Sequence, residues 1–309
     1  RMGWLHTPTP SKSKVYCWRR AITGPDNKYF TFTLCFFLCL SLIFYIYITP
    51  FIVRRALNIS IPLIVIFAIT NIFCLVNLII TAYKDPGIIP RQPPVEEDPF
   101  RHFKRTMDVK VNGVKLQRKY CETCNLFRPL RVSHCSVCDN CVEDFDHHCP
   151  WVGNCIGRRN YRFFLSFIYS LLFNIVLMYL ACILHIITIW IASGDFVRGI
   201  WWVLLFCSLS IFIMLLLIPV TFLVGVLVLF HTTLLFKNMT TYEHIRGQFR
   251  RNNPFYIGVC QNIIVRCCNL YYSNNIQYIM EYSEDNERDV YPPVKDWPPK
   301  VQRYSEIVI

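Results

Sequence analysis

Seven cysteines and three histidines fall between Cys121 and Cys155, in the order Cys121, Cys124, His134, Cys135, Cys138, Cys141, His147, His148, Cys149, Cys155. Cysteines three positions apart put two thiolates on one turn, at the separation a tetrahedral Zn²⁺ requires. The chain holds sixteen cysteines, which in a secreted protein would suit a disulfide scaffold. Clustered and facing a reducing cytosol, they read as metal ligands. Two closed structural sites take eight ligands, and this cluster offers ten. If each site takes three cysteines and one histidine, one cysteine and one histidine are left over. A thiol beside an imidazole is the minimum equipment for nucleophilic catalysis, because the base generates the attacking thiolate. Spacing alone does not say which pair is spared. The strongest candidate is the run Asp146-His147-His148-Cys149, where a carboxylate could orient one imidazole, that imidazole could activate the thiol, and the other could hold a metal.

The elements that must position this cluster are apolar. Of 309 residues, 54% are hydrophobic and only 17% charged, against about 25% charged in average globular chains, which argues against an ordinary soluble enzyme. Four runs, residues 29–51, 57–82, 163–192 and 200–236, reach the roughly 20 apolar residues that a helix needs to cross a bilayer. The last is long enough to tilt or to extend beyond the lipid. The net charge of +12 follows the same layout. Lys and Arg number six in residues 1–28, fourteen in 84–162 and nine from Lys237 onward, but only two and one in the two short connections. Basic segments resist translocation, so both termini and the central loop are expected in the cytosol.

The expected organisation is a cytosolic segment (1–28), two spans (29–83), a cytosolic cysteine-rich domain (84–162), two more spans (163–236) and a cytosolic C-terminal region (237–309). The fold class is an α-helical polytopic membrane protein. Within the spans, Asn71, Asn77, Asn174, His185 and His231 are expected to make interhelical hydrogen bonds rather than to line a pathway. Residues 85–100 read as a turn and extended chain, and Ser283 to Pro299 as a mobile tail. Nucleic acid is not an expected partner: the central loop's fourteen basic residues face ten acidic ones, with no helical reading head.

The string Asp146-His147-His148-Cys149, set in a cysteine-rich block between the second and third of four spans, resembles the DHHC family of protein S-acyltransferases, or palmitoyltransferases. Asp85-Pro86-Gly87 resembles the family's DPG motif, and Thr240-Thr241-Tyr242-Glu243 its TTxE motif. Asn253-Pro254, with Gly258 and Asn262, resembles its C-terminal segment. The likeness runs from about residue 29 to residue 265.

The resemblance implies two interleaved structural zinc ions that fold a small β-hairpin module. One would be held by Cys121, Cys124, His134 and Cys141, the other by Cys135, Cys138, His148 and Cys155. It also implies that Cys149 takes an acyl group from palmitoyl-CoA and passes it to cysteines of membrane-associated proteins. His147 would be the base and Asp146 its orienting carboxylate, with Thr240, Thr241, Glu243 and Asn262 in support. Membrane lipid is an implied partner, an accessory subunit an optional one, and the Golgi the first address among endomembranes. Read without the family, Thr240 to Glu243 is a helix-capping box. Arg158, Arg159, Asn160 and Arg162 are placed to meet CoA phosphates, with a plain positive-inside flank as the alternative. Cys267 and Cys268 are candidates for S-acylation, or else structural cysteines. Met2 to Thr7 fits a loose myristoylation pattern, and Ile307-Val308-Ile309 could add to a PDZ sheet edge. The competing class is a membrane-anchored RING-like zinc module for protein binding or ubiquitin transfer, which would leave His147 and Cys149 idle.

Overall fold

The computed structural model describes residues 11–16, 21–92, 106–249, 252–268 and 280–282. Both terminal patterns and the 283–299 tail lie outside these residues. Four helices are long and apolar enough to cross a membrane: Asn27–Arg55, Leu57–Tyr83, Tyr161–Ser193 and Ser208–Lys237. Helix is what such sequences must form in lipid, where backbone groups find no water and must bond within the segment. The first is composite, with α1 (Asn27–Ile43) passing through a π-helical stretch (Phe44–Ile48) into α2 (Thr49–Arg55). Pro50 offers no N–H to the turn before it, and the Phe44 carbonyl accepts both the Thr49 N–H and the Thr49 hydroxyl, the latter at 2.9 Å. The second and third are α3 (Leu57–Tyr83) and α4 (Tyr161–Ser193).

The fourth span departs from the 200–236 expectation. That apolar stretch is two helices, α5 (Phe196–Phe206) and α6 (Ser208–Lys237), broken at Cys207 with φ −115° and ψ 7°. Gly194 ends α4 in the left-handed conformation, and Asp195 caps α5 by accepting the Arg198 N–H. Hydropathy merged the two helices because both are apolar; the break lies in backbone dihedrals.

Of the five polar residues singled out in the spans, four make side-chain bonds between helices. Asn71 donates to Ser41 (2.9 Å), Thr70 and Asn174 bond at 2.9 Å, His185 meets Ser210 at 2.9 Å, and His231 meets Tyr161 at 3.3 Å. Asn77 instead donates to its own helix, at the Phe73 carbonyl. Two apolar clusters fill the bundle. The one nearer the cysteine-rich module includes Phe30, Phe37, Leu78, Phe164, Phe167 and Leu235. The other includes Phe44, Phe67, Ile175, Met178 and Leu217.

The module is built of short antiparallel pairs. β1 (Lys14–Tyr16) pairs with β2 (Ala21–Thr23), and β3 (Ile88–Ile89) extends the hairpin of β7 (Ser133–Cys135) and β8 (Asn140–Val142). β4 (Thr106–Val111), β5 (Val114–Cys121) and β6 (Leu126–Phe127) form a sheet whose far edge is β11 (Met280–Tyr282). β9 (His147–Cys149) pairs with β10 (Asn154–Ile156). The β4–β5 turn is Asn112-Gly113 with φ 47° and 79°, the positive-φ pair a two-residue hairpin loop requires. Two short helices follow the last span, α7 (Thr241–Ile245) and α8 (Val259–Cys268). The strands are too short to bury a large core, so bound metal would supply much of the module's stability.

Candidate active site

Strand periodicity explains how two metal sites interleave. Successive residues of a strand point to opposite faces, so β7 sends His134 to one cluster and Cys135 to the other. In the first cluster, Cys121, Cys124, His134 and Cys141 bring their donor atoms within 4.8 Å of one another. Antiparallel pairing sets His134 opposite Cys141, and His134 Nδ1 lies 3.6, 3.5 and 3.8 Å from the Cys121, Cys124 and Cys141 sulfurs. In the second, Cys135, Cys138, His148 and Cys155 meet the same limit. His148 pairs across the ladder with Cys155, and its Nδ1 is 3.3 Å from Cys138 Sγ and 3.6 Å from Cys155 Sγ.

Three thiols and an imidazole are a donor set suited to Zn²⁺. Hydrogen bonds from Cys124 and Cys141 hold Cys121 well below the usual thiol range, and Cys138 and Cys155 do the same to Cys135. The same bonds push Cys124, Cys141 and Cys155 up, so each cluster settles one thiolate among protonated neighbours, and a bound cation would take the place of those protons. Each histidine is oriented through its far nitrogen: His134 Nε2 is 3.3 Å from Asp139 Oδ1, and His148 Nε2 is 2.9 Å from Asp26 Oδ2. Asp26 belongs to the segment 1–28 that the family resemblance left out. Beside it, a Cβ on Gly24 would stand 2.9 Å from the Gly153 carbonyl and 3.1 Å from Cys138 Sγ, so this segment is packed into the second metal site.

The alternation of β9 also separates the residues that spacing left ambiguous. His148 points to the metal cluster, while His147 and Cys149, two residues apart, share the opposite face. Asp146 is 1% exposed; its Oδ2 faces His147 Nδ1 at 2.8 Å and its Oδ1 accepts the Thr241 backbone N–H at 2.9 Å. Burial pushes the Asp146 carboxyl up, but the His147 hydrogen bond and nearby cationic groups hold it below the usual carboxylate range. Burial lowers the His147 imidazole, and the hydrogen bonds with Asp146 and Cys149 outweigh it, raising it to about 10. Cys149 itself is buried in the apolar cluster of Phe30, Phe37, Leu78 and Phe164.

Thr240 and Glu243 form the expected capping box. The Thr240 hydroxyl accepts the Glu243 N–H, and Glu243 Oε2 accepts the Thr240 N–H. What reaches Asp146 is the Thr241 backbone; the Thr241 hydroxyl is buried and has no hydrogen-bond partner among the described residues. Glu243 also receives Arg131 on both oxygens, at 2.8 and 2.9 Å. Asn262, fully buried, donates to Phe236 and accepts from Ile257, tying α8 to the end of α6. Asp85 accepts the N–H groups of Gly87 and Ile88, which closes the turn after α3.

The basic group at the start of α4 is differentiated. Arg158 is 3.8 Å from Glu143, Arg159 is ion-paired with Asp85, and Arg162 is exposed over the Phe163 ring. Asn160 is fully buried, donating to the Thr81 and Cys155 carbonyls and accepting the Gly157 N–H. Its amide braces the loop. Cys267 is half-buried, its thiol raised by burial, and Cys268 is exposed. A cavity of about 990 Å³ is lined by Lys115, Arg118, Arg131 and Arg246 among others, and Cys149 is not part of it. Sequence reading passed over Asp26, Asp139, Arg131 and Arg266, none of which sits in a motif or at a periodic position.

A family model for the DHHC palmitoyltransferases matches residues 114–248. Palmitoyltransferase ZDHHC18 of Mus musculus is 36% identical over 284 residues, covering 84% of this chain and 70% of the mouse protein. The chain belongs to the DHHC palmitoyltransferase family. Homo sapiens ZDHHC18 is 36% identical over 84% of this chain and 69% of its own length. Homo sapiens ZDHHC14 is 36% identical over 84% and 55%. Family membership makes the chain a protein S-acyltransferase, and its four apolar helices make it a multi-pass membrane protein. The DHHC match takes in both metal clusters, the run from Asp146 to Cys149 and the capping box; Asp26, Asp85 and α8 lie outside it.

Proposed function

We propose that Cys149 is the nucleophile of a two-step S-acyl transfer from palmitoyl-CoA to protein cysteines, with His147 handling the proton and Asp146 holding His147. The observation that carries this reading is the shared face of His147 and Cys149, with Asp146 behind the imidazole at 2.8 Å. In the first step the Cys149 thiolate attacks the thioester carbonyl, the bond to the CoA sulfur breaks, and His147 gives its proton to that leaving sulfur. In the second, a substrate thiol gives its proton to His147, its sulfur takes the acyl group, and Cys149 leaves as thiolate. His147, raised to about 10, suits the protonated partner of that thiolate.

The apolar cluster around Cys149 supports a long acyl chain. Exposing such a chain to water costs roughly 0.8 kcal/mol per CH₂, and the thiol lies where the chain can remain among α1, α3, α4 and α6. Arg158 and Arg159, on the loop that Asn160 braces, and Arg162, in the first turn of α4, would meet the CoA phosphates. Two zinc ions, one on Cys121, Cys124, His134 and Cys141 and one on Cys135, Cys138, His148 and Cys155, would close the module as structural ions. The basic distribution of the sequence supports a cytosolic module, and a Golgi address with an optional accessory subunit is the family expectation.

The test is labelling of the full chain in detergent or lipid discs with a clickable palmitoyl-CoA. Hydroxylamine-sensitive label is expected on the wild type and none on Cys149→Ser, with zinc content equal in both. Full labelling of Cys149→Ser sinks the assignment, and no label on the wild type favours the RING-like alternative. His147→Ala should keep both zinc ions and lose about 10²–10⁴ in rate. His148→Ala should lose one zinc and melt lower.

A further inference from the structure

The buried face of α8 carries one charge. Asn262 and Arg266, one turn apart on the helix, are 0% and 6% exposed; the first fastens the helix to α6, and the second enters the space behind Asp146. The Arg266 guanidinium lies over the Tyr161 ring at 4.1 Å from its centroid, and its terminal nitrogen is 3.7 Å from Asp146 Oδ1. Two of its nitrogens, Nε and one Nη, are buried with no hydrogen-bond partner among the described residues. A buried cation left short of partners is costly, so its placement calls for a compensating gain. Two buried carboxylates act on it: Asp144, which also lies 3.8 Å from Arg131, and Asp146, whose oxygens among the described residues also meet His147 and the Thr241 N–H, with His231 close by. The second buried arginine nearby, Arg131, is committed to Glu243 and Asn238.

We infer that Arg266 is a positioning residue that holds the Asp146 side chain in place behind His147, making α8 part of the acyl-transfer apparatus. This rests on the role proposed for Asp146. Arg266 touches neither Cys149 nor the acyl donor; it acts through the carboxylate. Contacts of this kind are often long in the resting enzyme and tighten on the reaction path, which fits a guanidinium standing at 3.7 Å with donors to spare.

The experiment is a double-mutant cycle on the full chain, reading single-turnover formation of the acyl-enzyme from palmitoyl-CoA. Arg266→Met should slow acylation about 10–100-fold at saturating donor, the scale of a misplaced catalytic group, with the KM for palmitoyl-CoA and both zinc ions unchanged. Arg266→Lys, which keeps the charge, should stay within about fivefold of wild type. In an Asp146→Asn background, adding Arg266→Met should change the rate less than about twofold and raise Tm above that of Asp146→Asn alone, because the stranded cation is gone. Equal losses in both backgrounds, or no loss from Arg266→Met, overturn the inference. If Arg266→Met does not fold, Arg266→Lys decides: a folded, zinc-loaded Lys variant slowed 10-fold or more overturns it. Wild-type rate in Asp146→Asn would instead overturn the role of Asp146 itself.

Discussion

Asp26 gives a sharp test of whether the segment before the first span belongs to the metal module. Its carboxylate Oδ2 is 2.9 Å from His148 Nε2. With a zinc ion on Nδ1, Nε2 would carry the ring proton and donate it to Asp26, fixing the tautomer and making the imidazole a better ligand. Removing such a partner costs 10–100-fold in metal affinity, about 1.4–2.8 kcal/mol. The Asp26 side chain is 26% exposed, and water can partly replace it, so Asp26→Ala should fall near the lower end, about 10–30-fold. The rival role is helix capping, because Asp26 immediately precedes α1, yet its side chain makes no capping hydrogen bond there. Asp26→Ser separates the two: serine is a good N-cap but too short to reach His148. The assay is competitive zinc removal by a graded chelator, following the two ions by a zinc-responsive dye. One ion should leave earlier in Asp26→Ala and Asp26→Ser, with the other unchanged. A wild-type chelation curve for Asp26→Ser, or equal weakening of both ions, refutes the reasoning.

Two other positions probe how the module is clamped to the bundle. A Cβ at Gly157 would lie 2.6 Å from Val142 Cγ1, 2.7 Å from the Pro86 carbonyl and 2.9 Å from the Glu143 carbonyl, two of them backbone atoms that cannot step aside. Gly157→Ala should therefore cost about 1–3 kcal/mol, read as a lower Tm. Arg131→Met strands Glu243 and Asp144, both buried beside the guanidinium, at about 3–5 kcal/mol. It should weaken the module's attachment more than Arg131→Lys does, measured by limited proteolysis and Tm.

Much of the site was legible as a list and little of it as a place. Cys-x2-Cys spacing is a local property, so the ten candidate ligands and their leftover thiol and imidazole could be counted along the chain. Which pair was left over is a property of strand pairing. His147 and His148 are chemically identical until β9 forms and its pleat turns one toward Cys155 and the other toward Asp146. The capping box was readable because its two partners are three residues apart. Its further contact was not, because the Thr241 N–H and Asp146 are ninety-five positions apart. Hydropathy found three spans closely and merged α5 with α6, since an average over apolar residues cannot register the dihedral break at Cys207.

The sequence by itself determined the membrane-spanning character, ten candidate ligands sufficient for two metal sites, and the presence of a thiol and an imidazole beyond what two such sites require. Each follows from residue type and short-range spacing. Only the tertiary structure decided what surrounds that thiol: Asp26 on a metal ligand, Asn160 as a brace rather than an open contact, and Arg266 behind Asp146. Those are isolated polar residues from distant segments, and their roles come from being buried together, where an unpaired charge or amide is costly and each must find its partner.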